Sequence, residues 1–244
     1  MKPFLLLATR PEDAAAESEY EAFLRYGGLT ERELVWMRLE ATPLPPLDLD
    51  DWSGIMLGGS PYTSSIPDGH KSDTQLRVEH ELSRLLSVLI PADFPFLGAC
   101  YGVGTLARYL GARLDDTYAE PISATTIEVT DDGAADPLLA GLPPSFEAFV
   151  GHKEAVSQLP DGAVLLARGE ACPVQMFRVG ANLYGTQFHP ELDVPGILER
   201  IRIYRDAGYF DPAEQVRVEA SVRDVDVSVP QRIVTNFVAR YARD

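Results

Sequence analysis

The sequence predicts an α/β protein with a doubly wound, mostly parallel open sheet, helices on both faces of that sheet, and a small antiparallel insert. Two observations carry this prediction. In the first 111 residues, apolar runs typical of buried parallel strands alternate with segments of helical periodicity. Between residues 124 and 187, short strand-like runs follow one another without helices, which is typical of antiparallel pairing.

Four strands and three helices are predicted in the first part of the chain. The strands are short apolar runs, and the helices have apolar residues three or four positions apart and end at Gly or Pro. The predicted strands are residues 4–8, 33–39, 54–57 and the run from Phe96, and the predicted helices are residues 12–26, residues 72–90 and a helix that begins near Thr105 and ends at Gly111.

The rest of the chain is predicted to add the insert and two further helices. Candidate strands are residues 125–130, 145–150, 163–167, 174–179 and 182–187, and candidate helices are residues 194–206 and 233–241. We expect one large domain, residues 1–210, and a helical C-terminal extension, residues 211–244, that packs on the same domain.

Composition excludes several function classes. The chain has 244 residues and a hydrophobic fraction of 45%, which is ordinary for a globular protein. Its 21 basic and 37 acidic residues give a net charge of −16, which opposes binding to the phosphate backbone of nucleic acids. No apolar run is long enough for a signal peptide or a membrane span, so we expect no membrane contact and a cytoplasmic location.

A glycine-flanked cysteine follows the fourth predicted strand, in the segment Phe-Leu-Gly-Ala-Cys-Tyr-Gly-Val-Gly at residues 96–104. The pattern Gly98-x-Cys100-x-Gly102 is a cysteine version of the sharp strand-to-helix turn that holds a nucleophile in a strained conformation. A helix N-terminus at this point supplies partial positive charge and free N–H groups. Cys100 is therefore the predicted nucleophile.

A histidine and a glutamate lie two positions apart far downstream, in the segment Gly-Thr-Gln-Phe-His-Pro-Glu. In an extended segment, residues i and i+2 point to the same side, so His189 and Glu191 face one way, and Pro190 stiffens the link between them. This arrangement supplies a base and the carboxylate that orients it. Because ligands of open α/β sheets bind beyond the carboxyl ends of the strands, we expect Cys100 and His189 to converge there.

A glycine pair, Gly58 and Gly59, follows the third predicted strand. The exposed backbone N–H groups of such a loop can line an oxyanion hole, and we assign this role to Gly59. The second donor is expected from the residue after the nucleophile, so we assign it to the N–H group of Tyr101.

The order Cys, His, Glu with a His-Pro-Glu ending resembles the class I glutamine amidotransferases, and the resemblance extends from the first strand to about Tyr209. The segment Gly-His-Lys-Glu-Ala-Val at residues 151–156 is similar to the histidine-containing segment beside the family's glutamine pocket, particularly in the branch related to the amidotransferase domain of GMP synthase. The resemblance implies a flavodoxin-like sheet, a catalytic triad, and an oxyanion hole in the Gly-Gly loop. It also implies that Gly58, Gly104 and His152 lie in the substrate-binding site.

One position departs from the family pattern. The family commonly has Cys-x-Gly-x-Gln, in which the glutamine side chain helps to hold the amino-acid end of the substrate, whereas Gly104 occupies that place here. Polar recognition groups supply much of the discrimination in such sites. The substrate is therefore open between free glutamine and another γ-glutamyl compound.

Other candidate residues have ordinary structural interpretations. A free cysteine is usually a small buried hydrophobe, and we interpret Cys172 in this way. For His152, a structural role and a role in the substrate pocket both stay open. His70 and His80 are expected at the surface. Neither cysteine has a metal-ligand spacing, so we expect no metal.

The sequence predicts a cysteine-dependent amide hydrolase that converts the side-chain amide of glutamine to glutamate and ammonia through Cys100, His189 and Glu191. This chemistry requires no cofactor. Two alternatives remain: a free-standing hydrolase of γ-glutamyl compounds, and a catalytically silent scaffold or regulatory protein of the same fold. The chain to Asp244 holds no Gly-x-x-x-x-Gly-Lys-Ser/Thr loop, so we expect any ammonia to reach a separate synthetase subunit or bulk water.

Overall fold

A computed structural model describes residues 1–244 and contains one large sheet of nine strands. Its strand order is β2-β1-β3-β4-β11-β10-β9-β6-β7, and a separate two-stranded sheet pairs β5 with β8. The strands are β1 (Phe4–Ala8), β2 (Leu34–Arg38), β3 (Gly54–Leu57), β4 (Phe96–Ala99), β5 (Arg113–Asp115), β6 (Glu120–Val129), β7 (Ser145–His152), β8 (Ala155–Gln158), β9 (Val164–Arg168), β10 (Met176–Val179) and β11 (Leu183–Thr186).

The first five strands in this order, which are β2, β1, β3, β4 and β11, run parallel. This half of the sheet positions the site. Strand β4 lies between β3 and β11, with Ala99 opposite Thr186 at the last paired position. The residues that follow β4 and β11 therefore leave the sheet side by side. This is the convergence that the sequence predicts for the segments after these two strands.

The other half of the sheet is antiparallel. Strand β10 pairs with both β11 and β9, and the long strand β6 pairs with β9 and β7. The predicted insert is confirmed as antiparallel, and it is larger than the prediction because β6 begins at Glu120 instead of residue 125.

Helices cover both faces of the sheet. They are α1 (Asp13–Gly27), α2 (Asp73–Leu89), α3 (Tyr101–Tyr109), α4 (Asp131–Ala135), α5 (Val194–Ile203), α6 (Gln215–Val222) and α7 (Gln231–Tyr241). Neighbouring side chains of a strand point to opposite faces, so Leu5 and Leu6 enter different cores. Leu6 packs in the core that includes Phe23 of α1, whereas Leu5 packs in the core that includes Leu82 of α2.

Helix α3 begins at Tyr101, directly after the cysteine, whereas the sequence predicts a start near Thr105. Gly102 and Gly104 have low helix propensity, which favours the later start when the sequence is considered alone. Packing against strands β4 and β11 overrides this preference, because α3 is buried along most of its length.

The C-terminal segment holds two helices where one is predicted. Helix α7 packs against α1, and Phe237 is fully buried in the same core as Phe4. Helix α6 packs against α5 and β6. The boundary at residue 210 stays a prediction. None of the helices combines the length and the apolar character that crossing a membrane requires.

Candidate active site

Cys100 occupies a strained turn between β4 and α3. Its φ of 51° and ψ of −93° lie in a region that L-residues rarely adopt. The flanking glycines are required by close packing, because a Cβ at Gly98 would lie 2.6 Å from the carbonyl carbon of Gly102. A Cβ at Gly102 would lie 3.0 Å from the carbonyl oxygen of Leu57. A side chain at Gly98 would collide with backbone, and one at Gly102 would crowd the carbonyl of Leu57. The turn holds the thiol, which is partly exposed, at the edge of the sheet.

Backbone hydrogen bonds join the two distant segments of the site. The Cys100 N–H donates to the carbonyl of Thr186 at 2.7 Å, which ties the cysteine turn to the end of β11. The His189 N–H donates to the carbonyl of Phe149 at 3.0 Å, which ties the histidine to β7. Cys100 and His189 line the same cavity.

His189 and Glu191 form a buried pair. The Nδ1 atom of His189 donates to Oε1 of Glu191 at 2.7 Å, and the Glu191 side chain is fully buried. The guanidinium of Arg200 lies 4.0 Å from the same carboxylate oxygen. Because Nδ1 is held by the carboxylate, Nε2 is the ring nitrogen that is available to the thiol.

The two side chains shift each other's pKa values. Burial opposes the charge on the imidazole, but the Glu191 carboxylate and the charge of Cys100 outweigh burial and raise the pKa of His189 to about 9. Burial also opposes ionisation of Glu191, but the imidazolium and its hydrogen bond lower the pKa of this carboxyl. The pair therefore favours an imidazolium on His189 beside a carboxylate on Glu191. The imidazolium can donate a proton from the ring nitrogen on the side of the cysteine.

The glycine pair after β3 lies against a buried carboxylate. The Gly59 N–H donates to Oε1 of Glu19 at 3.1 Å, and a Cβ at Gly58 would collide with the same side chain. The structure therefore directs the N–H of Gly59 to Glu19 instead of to the thiol. The Tyr101 N–H lies at the N-terminus of α3, where helix geometry leaves it without an intrahelical acceptor.

Glu19 belongs to a buried network of charges. Arg10 Nε donates to Glu19 Oε1 at 3.0 Å, and the Arg200 guanidinium lies 3.3 Å from the same oxygen. Arg10 also donates to the hydroxyl of Tyr204 at 3.1 Å. All of these side chains are buried. The network holds the glycine loop, α1 and α5 together beside the site.

A second small cavity reaches the thiol from the side of residues 151–155. Gly104 and His152 line it, whereas Gly58 does not. A Cβ at Gly104 would lie 3.0 Å from the Cδ2 atom of Leu114 and 3.8 Å from a carboxylate oxygen of Glu154. Leu114 therefore lies directly beside the space that a side chain at position 104 would enter.

His152 is held at both ring nitrogens. Its Nδ1 atom donates to the carbonyl of Glu154 at 3.0 Å, and its Nε2 atom lies 2.9 Å from Oε2 of Glu120. Gln175 donates to the same oxygen of Glu120 at 2.7 Å. His152 therefore anchors the segment and also contributes to the cavity wall, and its role in substrate binding stays a prediction.

Cys172 lies in the same buried cluster. Its sulfur and the ligand atoms of Glu120 and His152 lie within 4.8 Å of one another, which is compatible with metal binding. The donor set does not favour a metal, because burial raises the pKa of Cys172 to about 12 and His152 already uses both of its nitrogens. Cys172 is an inert core thiol, as the sequence predicts.

Several residues beside the site have no role in the sequence motifs. Glu19 falls on the buried side of α1 together with Ala15, Ala16 and Phe23, and a charged residue on an apolar stripe is the signal that identifies it. Glu154 accepts hydrogen bonds from the N–H groups of Ser64 and Ser65 at 2.7 and 2.6 Å.

Tyr209 lines both of the cavities that reach Cys100. No sequence pattern marks it.

Comparisons with known proteins concern the family and the fold of the chain. The family model described as glutamine amidotransferase class-I matches residues 21–195. The chain is 34% identical over 101 residues to a glutamine-hydrolyzing GMP synthase of Thermosipho melanesiensis, a match that covers 41% of this chain and 19% of that protein. It is 26% identical over 175 residues to a glutamine-hydrolyzing GMP synthase subunit from Methanobrevibacter smithii, covering 69% of this chain and 82% of that protein. A crystal structure of a glutamine amidotransferase from Thermotoga maritima has the same fold, with a TM-score of 0.76, 19% identity and coverage of 99% and 98% of the two chains.

Proposed function

The chain belongs to the class-I glutamine amidotransferase family, and we propose that it hydrolyses the side-chain amide of glutamine to glutamate and ammonia through Cys100, His189 and Glu191. One observation carries the proposal. Cys100, in its strained turn, lines the same cavity as His189, and His189 is oriented by a 2.7 Å hydrogen bond to Glu191. A nucleophile, a base and an orienting carboxylate in this order are the requirements of covalent amide hydrolysis.

In the first half of the reaction, the Cys100 thiolate attacks the carbon of the carboxamide and forms a tetrahedral intermediate. The carbon–nitrogen bond then breaks, and the imidazolium of His189 gives its Nε2 proton to the departing nitrogen, which leaves as ammonia. A thioester on Cys100 remains. The raised pKa of His189 supports this role, because it keeps the ring protonated when the thiol is ionised.

In the second half, water attacks the thioester. The now neutral imidazole of His189 accepts a proton from this water, the carbon–sulfur bond breaks, and glutamate and the free cysteine are released. Glu191 keeps Nδ1 of His189 protonated in both halves, so that Nε2 always faces the reacting atoms.

The oxyanion of both tetrahedral intermediates needs backbone donors. The N–H of Tyr101, at the start of α3, is the donor that needs no rearrangement. The N–H of Gly59 becomes the second donor when its peptide turns away from Glu19, its acceptor in this structure. The absence of a side chain at Gly59 makes such a turn sterically accessible.

The ammonia acceptor is proposed to be a separate synthetase protein. The support for a partner of this class is the similarity to the GMP synthase subunit from Methanobrevibacter smithii. A reducing compartment such as the cytoplasm suits the reaction, because it keeps the thiol of Cys100 free.

The test is to incubate the purified protein with glutamine and to measure glutamate and ammonia. We expect equal amounts of the two products, with no turnover by Cys100→Ser. Cys172→Ser is the matched control, because the same change is made at a buried thiol that contacts no cavity of the site. Turnover by Cys100→Ser, or no glutamate from a folded protein whose Cys100 is alkylated rapidly, would overturn the proposal. The second result would favour a hydrolase of another γ-glutamyl compound, because a reactive thiol argues against a silent scaffold.

A further inference from the structure

Two small cavities meet at Cys100. One, of about 30 Å³, lies on the side of His189 and is called here the His189 cavity. The other, of about 20 Å³, lies on the side of residues 151–155. Each has room for only one or two water-sized molecules. Ser60, Cys100, Gly151 and Tyr209 line both, so Tyr209 contributes the one large side chain at the boundary.

The two cavities have different roles in the proposed reaction. The departing nitrogen receives its proton from His189, which lines only the His189 cavity, so the leaving group must pass into that space. His152, Lys153 and Glu154 line only the other cavity, which is therefore on the side of the amino-acid end of the substrate.

The walls of the two cavities differ in how easily they can move. In the His189 cavity, Arg10, Leu192, Ile197 and Tyr204 are all buried in the framework of the protein. Part of the wall of the other cavity consists of half-buried side chains, which can turn aside for a substrate. These are Tyr62, Thr63 and Leu114. Tyr209 is the one half-buried side chain in the wall of the His189 cavity other than Cys100 itself.

Tyr209 is held in place from two sides. The Nζ atom of Lys153 lies 4.6 Å from the centre of its ring, within the range of a cation–π contact. The ring of Tyr204 packs against it at a centroid distance of 6.0 Å. Burial and the negative charge of Cys100 both raise the pKa of Tyr209, which is consistent with a position beside the thiol. Tyr209 lies outside residues 21–195, the part of the chain that matches the family model.

We propose that Tyr209 is a specificity-determining residue that closes the His189 cavity and limits the leaving group to the size of ammonia. This inference rests on the proposed function, because it assigns the leaving group to the side of His189. This role of Tyr209 distinguishes the two substrate classes that the sequence leaves open, which are free glutamine and other γ-glutamyl compounds. A primary carboxamide such as glutamine fits, whereas a γ-glutamyl compound with an alkyl group on the amide nitrogen meets the ring of Tyr209.

The test compares glutamine, γ-glutamylmethylamide and γ-glutamylethylamide as substrates of the wild-type protein and of Tyr209→Ala. We expect the wild type to prefer glutamine by roughly 10–200-fold in kcat/KM, the range that one misfitting methyl-sized group produces. Tyr209→Ala should reduce this preference at least tenfold. Tyr209→Phe keeps the ring and should keep the preference. Tyr109→Ala is the matched control, since it removes an exposed tyrosine that lines neither cavity.

A second measurement does not depend on turnover. Alkylation of Cys100 by iodoacetamide and by the bulkier N-ethylmaleimide should both be accelerated in Tyr209→Ala, and the bulkier reagent should gain more. These rates are measured in a Cys172→Ser background so that one thiol is followed.

The outcomes separate the two proposals. Equal cleavage of glutamine and the alkylamides by the wild type, or an unchanged preference in a folded Tyr209→Ala, overturns the role of Tyr209. If no variant cleaves any compound, the proposed function fails. The alkylation rates then decide independently whether Tyr209 limits access to the thiol, and unchanged rates overturn that role as well.

Discussion

The backbone N–H of Gly59 donates a hydrogen bond to the buried carboxylate of Glu19, at 3.1 Å. This contact links the loop after β3, where the sequence predicts an oxyanion donor, to a residue of α1 that also holds Arg10 and Arg200. The loop after β3 is therefore supported by a buried charge network, and two members of that network, Arg10 and Arg200, line the same cavity as Cys100.

Glu19→Ala should destabilise the protein strongly. The change leaves the guanidinium groups of Arg10 and Arg200 buried without the carboxylate they share, and breaking a buried ion pair in this way costs about 3–5 kcal/mol. Urea denaturation measures the free energy of unfolding. Glu17→Ala, an exposed change on the same helix, is the control and should cost under about 1 kcal/mol. Equal effects of the two variants would contradict the network.

Glu191→Gln should reduce stability in a pH-dependent way. The pKa of His189 is raised from 6.5 to about 9. The contribution of the charged imidazole to the free energy of unfolding is therefore complete below pH 6.5 and is lost as the pH rises to 9. The pKa of Glu191 is lowered from 4.5, so its contribution is present above pH 4.5 and is lost at lower pH. The difference in the free energy of unfolding between wild type and variant should be greatest between pH 4.5 and pH 6.5.

The measurement for Glu191→Gln is urea denaturation of both proteins across this pH range. The difference in the free energy of unfolding should be larger near pH 6 than near pH 9 by an amount on the order of 2 kcal/mol. A difference that does not vary with pH would show that the pair does not titrate as described.

Glu154→Ala should raise the KM for glutamine more than it lowers kcat. The carboxylate of Glu154 holds the N–H groups of Ser64 and Ser65, and the loop before them carries Tyr62 and Thr63 of the cavity wall. Loss of two charge-assisted hydrogen bonds loosens this wall without touching the triad, so we expect KM to rise roughly tenfold. Steady-state kinetics measures the two constants, with the exposed Glu170→Ala as control. A fall in kcat at constant KM would contradict this role.

Gly104→Gln should improve glutamine binding only when Leu114 is also shortened. A Cβ at position 104 meets Leu114 at 3.0 Å, so the single variant forces these side chains together. In Gly104→Gln with Leu114→Ala, the new amide gains room to bond the amino-acid end of the substrate, and the KM should fall roughly 2–10-fold relative to Leu114→Ala alone. Identical KM values for these two proteins would mean that position 104 does not contact the substrate.

Local sequence patterns determined the nucleophile turn. Cys100 and its flanking glycines lie within five residues, and the steric requirement for Gly98 arises locally, from the backbone of Gly102. The close approach at Gly102 is to Leu57 of β3 and is a tertiary contact. The pairing of His189 with Glu191 is also local, since the two residues are two positions apart. The strands β1 and β3 were predictable to the residue because their side chains are buried on both faces, which gives continuous apolar runs.

Tertiary structure alone determined which residues support the loop after β3 and which residues line the two cavities at Cys100. The partners of Glu19 come from the loop after β3 and from α5, and Tyr209 meets Lys153 from a distant part of the chain. It also decided that α3 starts at Tyr101, because burial against the strands outweighs the low helix propensity of two glycines. A sequence pattern reports which face of an element is buried, but not which element covers it. The position of Glu19 on the buried face of α1 was therefore visible in the sequence, whereas its contact with Gly59 was not.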